Sequence, residues 1–313
     1  MWAVGIVIAG LVAALRPDGL AAAMRATTGP FTTLAVIILA SALADRLGAF
    51  RILGRAVDRN PGPGIASAAA ILAVTAMLSA LVNLDVAVVV AMPVALRAAQ
   101  RHHQRADRLT TAVAMTANAT SFLLPTSNIT NLLLLHREPL ATSAYIGDSW
   151  LPWILVTAVS IGTLAIWSGH PATGHGHAIA SGRSVGAITD LMPMFLVASG
   201  IRALLGTSLV LHGSFTSQLA SGSALAAAAD NLPAAAAFLP TTTPGLWAAI
   251  LATTIGPNLL ITGSVATLIS RRIARDGGAK LSPRQFSAIG LALVPAQLAA
   301  AVLGLHIAGV LKG

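Results

Sequence analysis

The stretch Ser79-Ala80-Leu81-Val82-Asn83-Leu84-Asp85 decides how this chain folds. It sets an asparagine and a carboxylate in the middle of an apolar run that continues to Pro93. A similar stretch recurs later: Ser223-Ala224-Leu225, an alanine run, Asp230-Asn231-Leu232-Pro233, then Pro240. An ionisable residue inside a membrane segment is expensive and marks a functional site by default. Asp85 and Asp230, in repeated contexts, therefore point to one binding site built from two halves.

Composition agrees with a membrane setting. Hydrophobic residues make up 56% of the 313, charged residues 9%, and the mean hydropathy is +0.80. A soluble domain carries roughly a quarter charged residues. Repeated apolar runs long enough to span, rich in Ala and Leu without polar/apolar alternation, indicate helices rather than a barrel. With no cysteine, disulfides, thiolate metal sites and a thiol nucleophile are excluded. The run 2–15 lacks a basic leader and a small-residue cleavage context, so it reads as a retained span rather than a signal peptide. The net charge of +9 is dispersed among loops, which argues for the positive-inside rule and against nucleic-acid binding.

Seven spans follow, near 2–15, 31–49, 109–136, 150–168, 187–206, 246–270 and 286–310. The stretches 64–99 and 214–240 differ, because each is interrupted midway and bracketed by loops that must lie on one side. That is the pattern of a re-entrant hairpin, tolerated only where irregular backbone is buried in protein or lines a cavity. With the N-terminus inside, 14 Lys/Arg fall in cytoplasmic segments (46–59, 97–108, Arg183 and 271–284) and five outside (Arg16, Arg25, Arg137, Arg202, Lys312). Full crossing by either hairpin degrades that asymmetry.

Beyond an extra N-terminal span and loop, 1–30, the chain divides into two units of span, hairpin, span, span. The first is 31–168, with hairpin 64–99 and a broken helix at 109–136. The second is 187–313, with hairpin 214–240 and a broken helix at 246–270. A cytoplasmic linker, 169–186, joins them, and the odd number of spans per unit inverts the second. The expected fold is an all-α membrane protein: an inverted-repeat secondary transporter with two re-entrant hairpins and two broken transmembrane helices. It is expected as a multi-pass protein of the cell inner (plasma) membrane.

The breaks carry the polar chemistry. In the first, Asn118 and Thr120 precede Leu124-Pro125-Thr126-Ser127-Asn128-Ile129-Thr130-Asn131; in the second, Ile255-Gly256-Pro257-Asn258 leads to Ile261-Thr262-Gly263-Ser264-Val265-Ala266-Thr267. Proline removes a backbone donor and glycine admits unusual dihedrals, so helix ends and carbonyls are exposed at membrane depth. Such groups, with Asn, Ser and Thr side chains, replace the hydration shell of an ion or small solute. Each has a plainer reading. Isolated Thr157 and Ser160 fit helix packing, the aspartates fit caps on half-helices, and His170, His175, His177, His102 and His103 fit solvated loops rather than metal ligands.

These residues resemble the ion transporter superfamily, most closely its arsenite/antimonite permease branch. Asn83-Leu84-Asp85 is similar to that branch's Asn-Asn-Asp at the first tip, with one departure. Pro125, Asn128 and Asn131 fit its first unwound loop, where Ser127 and Ile129 replace glycine and proline. Asp230-Asn231-Leu232-Pro233 resembles Asn-Asn-(Leu/Met)-Pro. Gly256-Pro257-Asn258 followed by Thr262-Gly263-Ser264-Val265-Ala266-Thr267-Leu268 resembles Gly-Pro-x…Gly-Ser-Leu-Ala-Thr-Leu. The likeness covers most of 30–310.

The resemblance implies proton-driven efflux of arsenite or antimonite. Arsenious acid is uncharged at neutral pH, which fits tips and breaks without Lys or Arg. Asn83, Asn118, Ser127, Asn128, Asn131, Asn231, Asn258, Thr262 and Ser264 are expected to bind the solute in a midplane cavity. Asp85 and Asp230 are expected to couple its movement to protons by gaining and losing one in turn. No cofactor is expected beyond a coupling proton or sodium ion. The expected partners are a small inorganic or small-anion solute and the lipid bilayer; a homodimer and a cytoplasmic ATPase subunit stay open. Four alternatives remain: a sodium-coupled dicarboxylate or citrate carrier, a sodium/proton antiporter of the same superfamily, a passive channel and an intramembrane hydrolase. The last two are weakest: inverted hairpins suit alternating access better than an open pore, and for a hydrolase Asp230 lacks a Gly-x-Gly-Asp context and only His306 offers a base within a span.

Overall fold

The computed structural model describes residues 2–15, 64–170 and 213–311, with isolated residues between 18 and 48 and at 196 and 200. Spans 31–49 and 187–206 and most of the 169–186 linker lie outside the described residues, as do His175 and His177. Among the described residues the secondary structure is helical, with no strand element. α1 is Trp2–Leu15. The first unit contributes α2 (Ile65–Leu81), α3 (Leu84–Arg101), α4 (Ala106–Ala119), a 3₁₀ turn (Pro125–Ser127), α5 (Ile129–Leu135) and α6 (Thr142–Ser168). The second contributes α7 (Phe215–Ala229), α8 (Asn231–Ala237), α9 (Thr243–Thr254), a 3₁₀ turn (Gly256–Leu259), α10 (Val265–Asp276) and α11 (Pro283–Ile307). Both units thus run as two helices around a tip, a helix, an unwound segment, a helix, and a long helix.

The long helices set the frame. α6 and α11 are the two described helices long and apolar enough to cross a bilayer, at 27 and 25 residues. They pack antiparallel. Pro152 near the start of α6 meets Gly304 near the end of α11, so closely that a Cβ on Gly304 falls 2.5 Å from the Pro152 Cα. Midway, Gln297 Nε2 donates to Ser160 Oγ at 2.8 Å in a fully buried contact. At the far end Ile166 and Trp167 share a cleft with Ile289. α6 and α11 therefore run in opposite directions.

The hairpins hang from opposite ends of this pair. α2 begins where α6 ends, with the Gly64 carbonyl accepting from Gln104 Nε2 at 2.7 Å just beyond α3. Both arms of the first hairpin accordingly reach the same end. The second hairpin starts beside α9, where Gly245 and Gln218 are neighbours, and returns there through 238–242. Arg137, just past α5, ties that end together by donating to the Phe238 and Ala236 carbonyls. The elements also trade partners across the units: α3 packs on α10, α8 on α5, α4 on α10 and α9 on α5.

Charge follows the same geometry. Arg97, Arg101, Arg105 and Arg108 lie at the end where the first hairpin opens, as do the basic residues of α10 and the α10–α11 turn. Arg137 lies at the other end. Two apolar clusters fill the interior. One, around Phe122, Tyr145, Phe238 and Trp247, packs beneath the second hairpin; the other, around Leu72, Met92, Leu109, Met115 and Phe286, packs beneath the first.

Candidate functional site

At the first tip α2 stops at Leu81 and Asn83 takes an extended conformation. Its Oδ1 caps α3 by accepting from the Asp85 N–H at 2.9 Å. Its Nδ2 donates to the Thr126 carbonyl at 3.3 Å, joining tip to first break. Ser79 Oγ donates to the Ala117 carbonyl at 2.6 Å and Ser127 Oγ to the Ala80 carbonyl, closing the same seam. Asp85, in the first turn of α3, is only partly buried.

The second tip is built differently. Asp230, rather than an asparagine, caps α8, with its Oδ1 accepting from the Leu232 N–H at 3.0 Å. The start of α10, at Val265, lies beside this carboxylate. One side chain therefore caps α8 and faces the N-terminus of α10, both of which favour a negative charge. Asp230 does so at φ 76° and ψ 145°, close to a region populated almost solely by glycine. The adjoining Asn231 N–H donates to the Gly263 carbonyl at 2.9 Å, the counterpart of the Asn83–Thr126 link.

Asp85 and Asp230, read as a matched pair, thus hold different positions. Asp230 matches Asn83 in capping geometry, while Asp85 lies two residues into its helix. The cap decides this, because in each tip the residue before the second arm supplies the oxygen. The two carboxylates are nevertheless close enough for Asp85 to act electrostatically on Asp230.

The first break is held by α6. Trp153 Nε1 donates to the Thr120 carbonyl at 2.9 Å, Tyr145 OH to Phe122 at 3.0 Å and Ser149 Oγ to Leu123 at 2.9 Å. Backbone carbonyls that lost their helical partners are thereby satisfied, as buried groups must be. Asn128 caps α5, accepting from the Thr130 N–H at 3.1 Å, and donates to Ser121 Oγ at 3.1 Å. Asn131 Nδ2 donates to the Ser121 carbonyl at 2.9 Å.

The second break is held by α4. Asn258 Nδ2 donates to the Met115 carbonyl at 2.9 Å, and its Oδ1 accepts from Asn118 Nδ2 at 3.0 Å. Asn118 Nδ2 also donates to Thr267 Oγ1 at 2.9 Å. This is a buried cross-unit staple. α11 presses on it so closely that a Cβ on Gly290 falls 2.0 Å from the Asn258 carbonyl oxygen.

The sequence-predicted residues therefore separate into two groups. Asn83, Asn118, Ser127, Asn128, Asn131, Asn231, Asn258 and Ser264 are all at most 5% exposed. In this conformation Asn83 and Ser127 tie the first hairpin to the first break, Asn118 and Asn258 tie α4 to the second break, the Asn231 N–H ties the second tip to the second break, and Asn128 and Asn131 bond within the first break. Thr262 is exposed, and Asp85 and Asp230 are partly so. Thr126, partly exposed beside tip one, joins them; its place within Pro125-Thr126-Ser127 was the available signal. Among the described residues four buried amide oxygens have no protein partner, Asn118 Oδ1 and Asn131 Oδ1 at the breaks and Gln104 Oε1 and Gln297 Oε1 elsewhere, and a buried acceptor without one calls for a ligand or water. Among the described residues no cluster of three or more His, Asp or Glu forms a metal site.

No curated protein matches the chain. A family model described as a citrate transporter matches residues 1–311, and that family lies within the ion transporter superfamily. The match supports a membrane transporter of citrate or related anions and gives no support to arsenite efflux. The motifs shared with the permease branch are the tips and breaks themselves, which build a site without specifying its cargo. The hydrolase alternative falls away, since family members are transporters. This chain is a member of the citrate transporter family.

Proposed function

We propose that the protein is a cation-coupled secondary transporter of citrate or a related small carboxylate, working by alternating access. The family match over nearly the whole chain carries this reading. The geometry at the tips supports it. The N-termini of α3 and α10, of 18 and 12 residues, start at the first tip, which carries Asp85, and at the second break, which carries Thr262; Thr126 and Asp230 lie in the facing break and tip. Helix N-termini attract anions, and hydroxyls supply hydrogen bonds to carboxylates.

Two aspartates and no Lys or Arg at tips or breaks repel a polyanion approaching alone. A citrate ion is accommodated only if cations come with it. Protons or sodium ions on Asp85 and Asp230 serve that purpose, and the unpartnered oxygens of Asn118 and Asn131 are further acceptors for a cation. Coupling then follows from electrostatics, because anion and cation each bind poorly without the other.

The architecture suits alternating access. Hairpins opening to opposite ends, antiparallel α6 and α11, and exchanged partners across the units support an inverted repeat with re-entrant hairpins. Such repeats rock about a midplane site. The concentration of basic residues where the first hairpin opens supports a cytoplasmic location for that end.

Radiolabelled citrate uptake into proteoliposomes, under imposed sodium or proton gradients, tests this reading. Gradient-driven citrate accumulation is the expected result. Absence of citrate flux under either gradient, with flux of arsenite instead, overturns it.

A further inference from the structure

A cleft opens at the shared end of α6 and α11, away from the tips. Arg105 and Arg108 at the start of α4, Trp167 at the end of α6, and Gln285 and Ile289 at the start of α11 line it, with Ile166 extending the floor. The floor is apolar and Ile166 is 56% exposed. The rim is cationic. Arg105 is matched by Asp107 at 2.9 Å; among the described residues Arg108 has no ion pair. The Arg108 guanidinium lies 5.4 Å from the Trp167 ring centroid and donates from Nη1 to the Trp167 carbonyl at 3.1 Å. Its Nε is buried without a protein partner. Arg284 stands exposed beside Gln285.

Capping the C-terminus of α6 explains one nitrogen of Arg108. It does not explain a buried Nε, nor an apolar floor beneath two arginines. A soluble anion gains nothing from Ile166, Trp167 and Ile289. An acyl chain does, and α6 and α11 are the two described helices long and apolar enough to cross a bilayer. Basic pockets between spans near the cytoplasmic surface suit anionic headgroups.

We propose that this cleft binds one anionic phospholipid. Its headgroup phosphate lies on Arg105 and Arg108, and its chain runs along Ile166 and Ile289. The site is separate from the tips and does not depend on the substrate carried.

Trp167 makes the site its own reporter. The purified full-length protein in neutral detergent is titrated with brominated phosphatidylglycerol or brominated phosphatidylcholine while tryptophan fluorescence is followed. A parallel Trp167→Phe titration isolates the quenching at this indole. Phosphatidylglycerol is expected to quench Trp167 at lower concentration, by about fivefold for each cation engaged. Arg105→Ala with Arg108→Ala should abolish the preference. Gln285→Glu, which leaves the Arg108–Trp167 contacts intact, should weaken it by about fivefold. Inorganic phosphate should not displace the lipid. Equal quenching by the two lipids overturns the proposal. So does a preference that survives both Gln285→Glu and the double alanine variant, or displacement by inorganic phosphate alone.

Discussion

The first tip divides its work between two residues, whereas the second concentrates it in one. Asn83 caps α3 and joins the tip to the first break, leaving Asp85 with no capping role. Asp230 carries the charge and also caps α8, beside the N-terminus of α10, from a strained backbone conformation. Losing a carboxylate should therefore affect coupling alone at tip one, but coupling and stability together at tip two. Chemically similar acids differ here because one is built into the scaffold.

Asp230→Ala should have the largest effect. The cap on α8 disappears, at about 1 kcal/mol, the negative charge beside the α10 N-terminus goes with it, and the alanine inherits an unfavourable φ. Thermal unfolding in detergent should show a lower midpoint, and citrate uptake should vanish; an unchanged midpoint contradicts the capping assignment. Asp85→Asn should come next, confined to function. Gradient-driven uptake should be lost while stability stays within about 0.5 kcal/mol of wild type. If Asp85→Asn destabilises the protein as much as Asp230→Ala, the contrast between the tips is wrong.

The staple between the units offers a sharper test of smaller size. A double-mutant cycle of Asn118→Ala and Asn258→Ala should give a coupling of about 1 kcal/mol for their buried hydrogen bond. Additive effects show that the two asparagines do not act together. Smallest of all should be Thr126→Val and Thr262→Val. Each removes one exposed hydroxyl, so apparent citrate affinity should fall by about fivefold, one hydrogen bond's worth. Unfolding midpoints should not move. Wild-type affinity in both variants removes the threonines from the binding surface.

Much of the frame was legible because buried charge and helix-breaking residues leave local marks. Asn83 falls in the gap between α2 and α3, with Leu84-Asp85 opening α3, and Asp230 falls between α7 and α8. Pro125 and Gly256-Pro257 fall in the two unwound segments. The division of labour among the polar residues was not legible. Spacing shows that Asn118 and Asn258 are polar and deep, but their pairing across 140 positions is set by packing of α4 against the second break. The holding of the first break by Tyr145, Ser149 and Trp153 is likewise a tertiary fact. Arsenite efflux gains no support from the family match, which is closer to the citrate alternative, because motifs at tips and breaks describe an architecture that several transporters share.

The central claim is that both tips face one chamber that holds the anion. The chain has no cysteine, so Thr126→Cys and Thr262→Cys can each be labelled alone with a membrane-impermeant thiol reagent. Labelling rates, measured with and without citrate in the presence of the coupling cation, report directly on that chamber. Citrate should slow labelling at both positions, over the same concentration range. Protection at one position only, or at neither while citrate is being transported, would contradict a shared chamber.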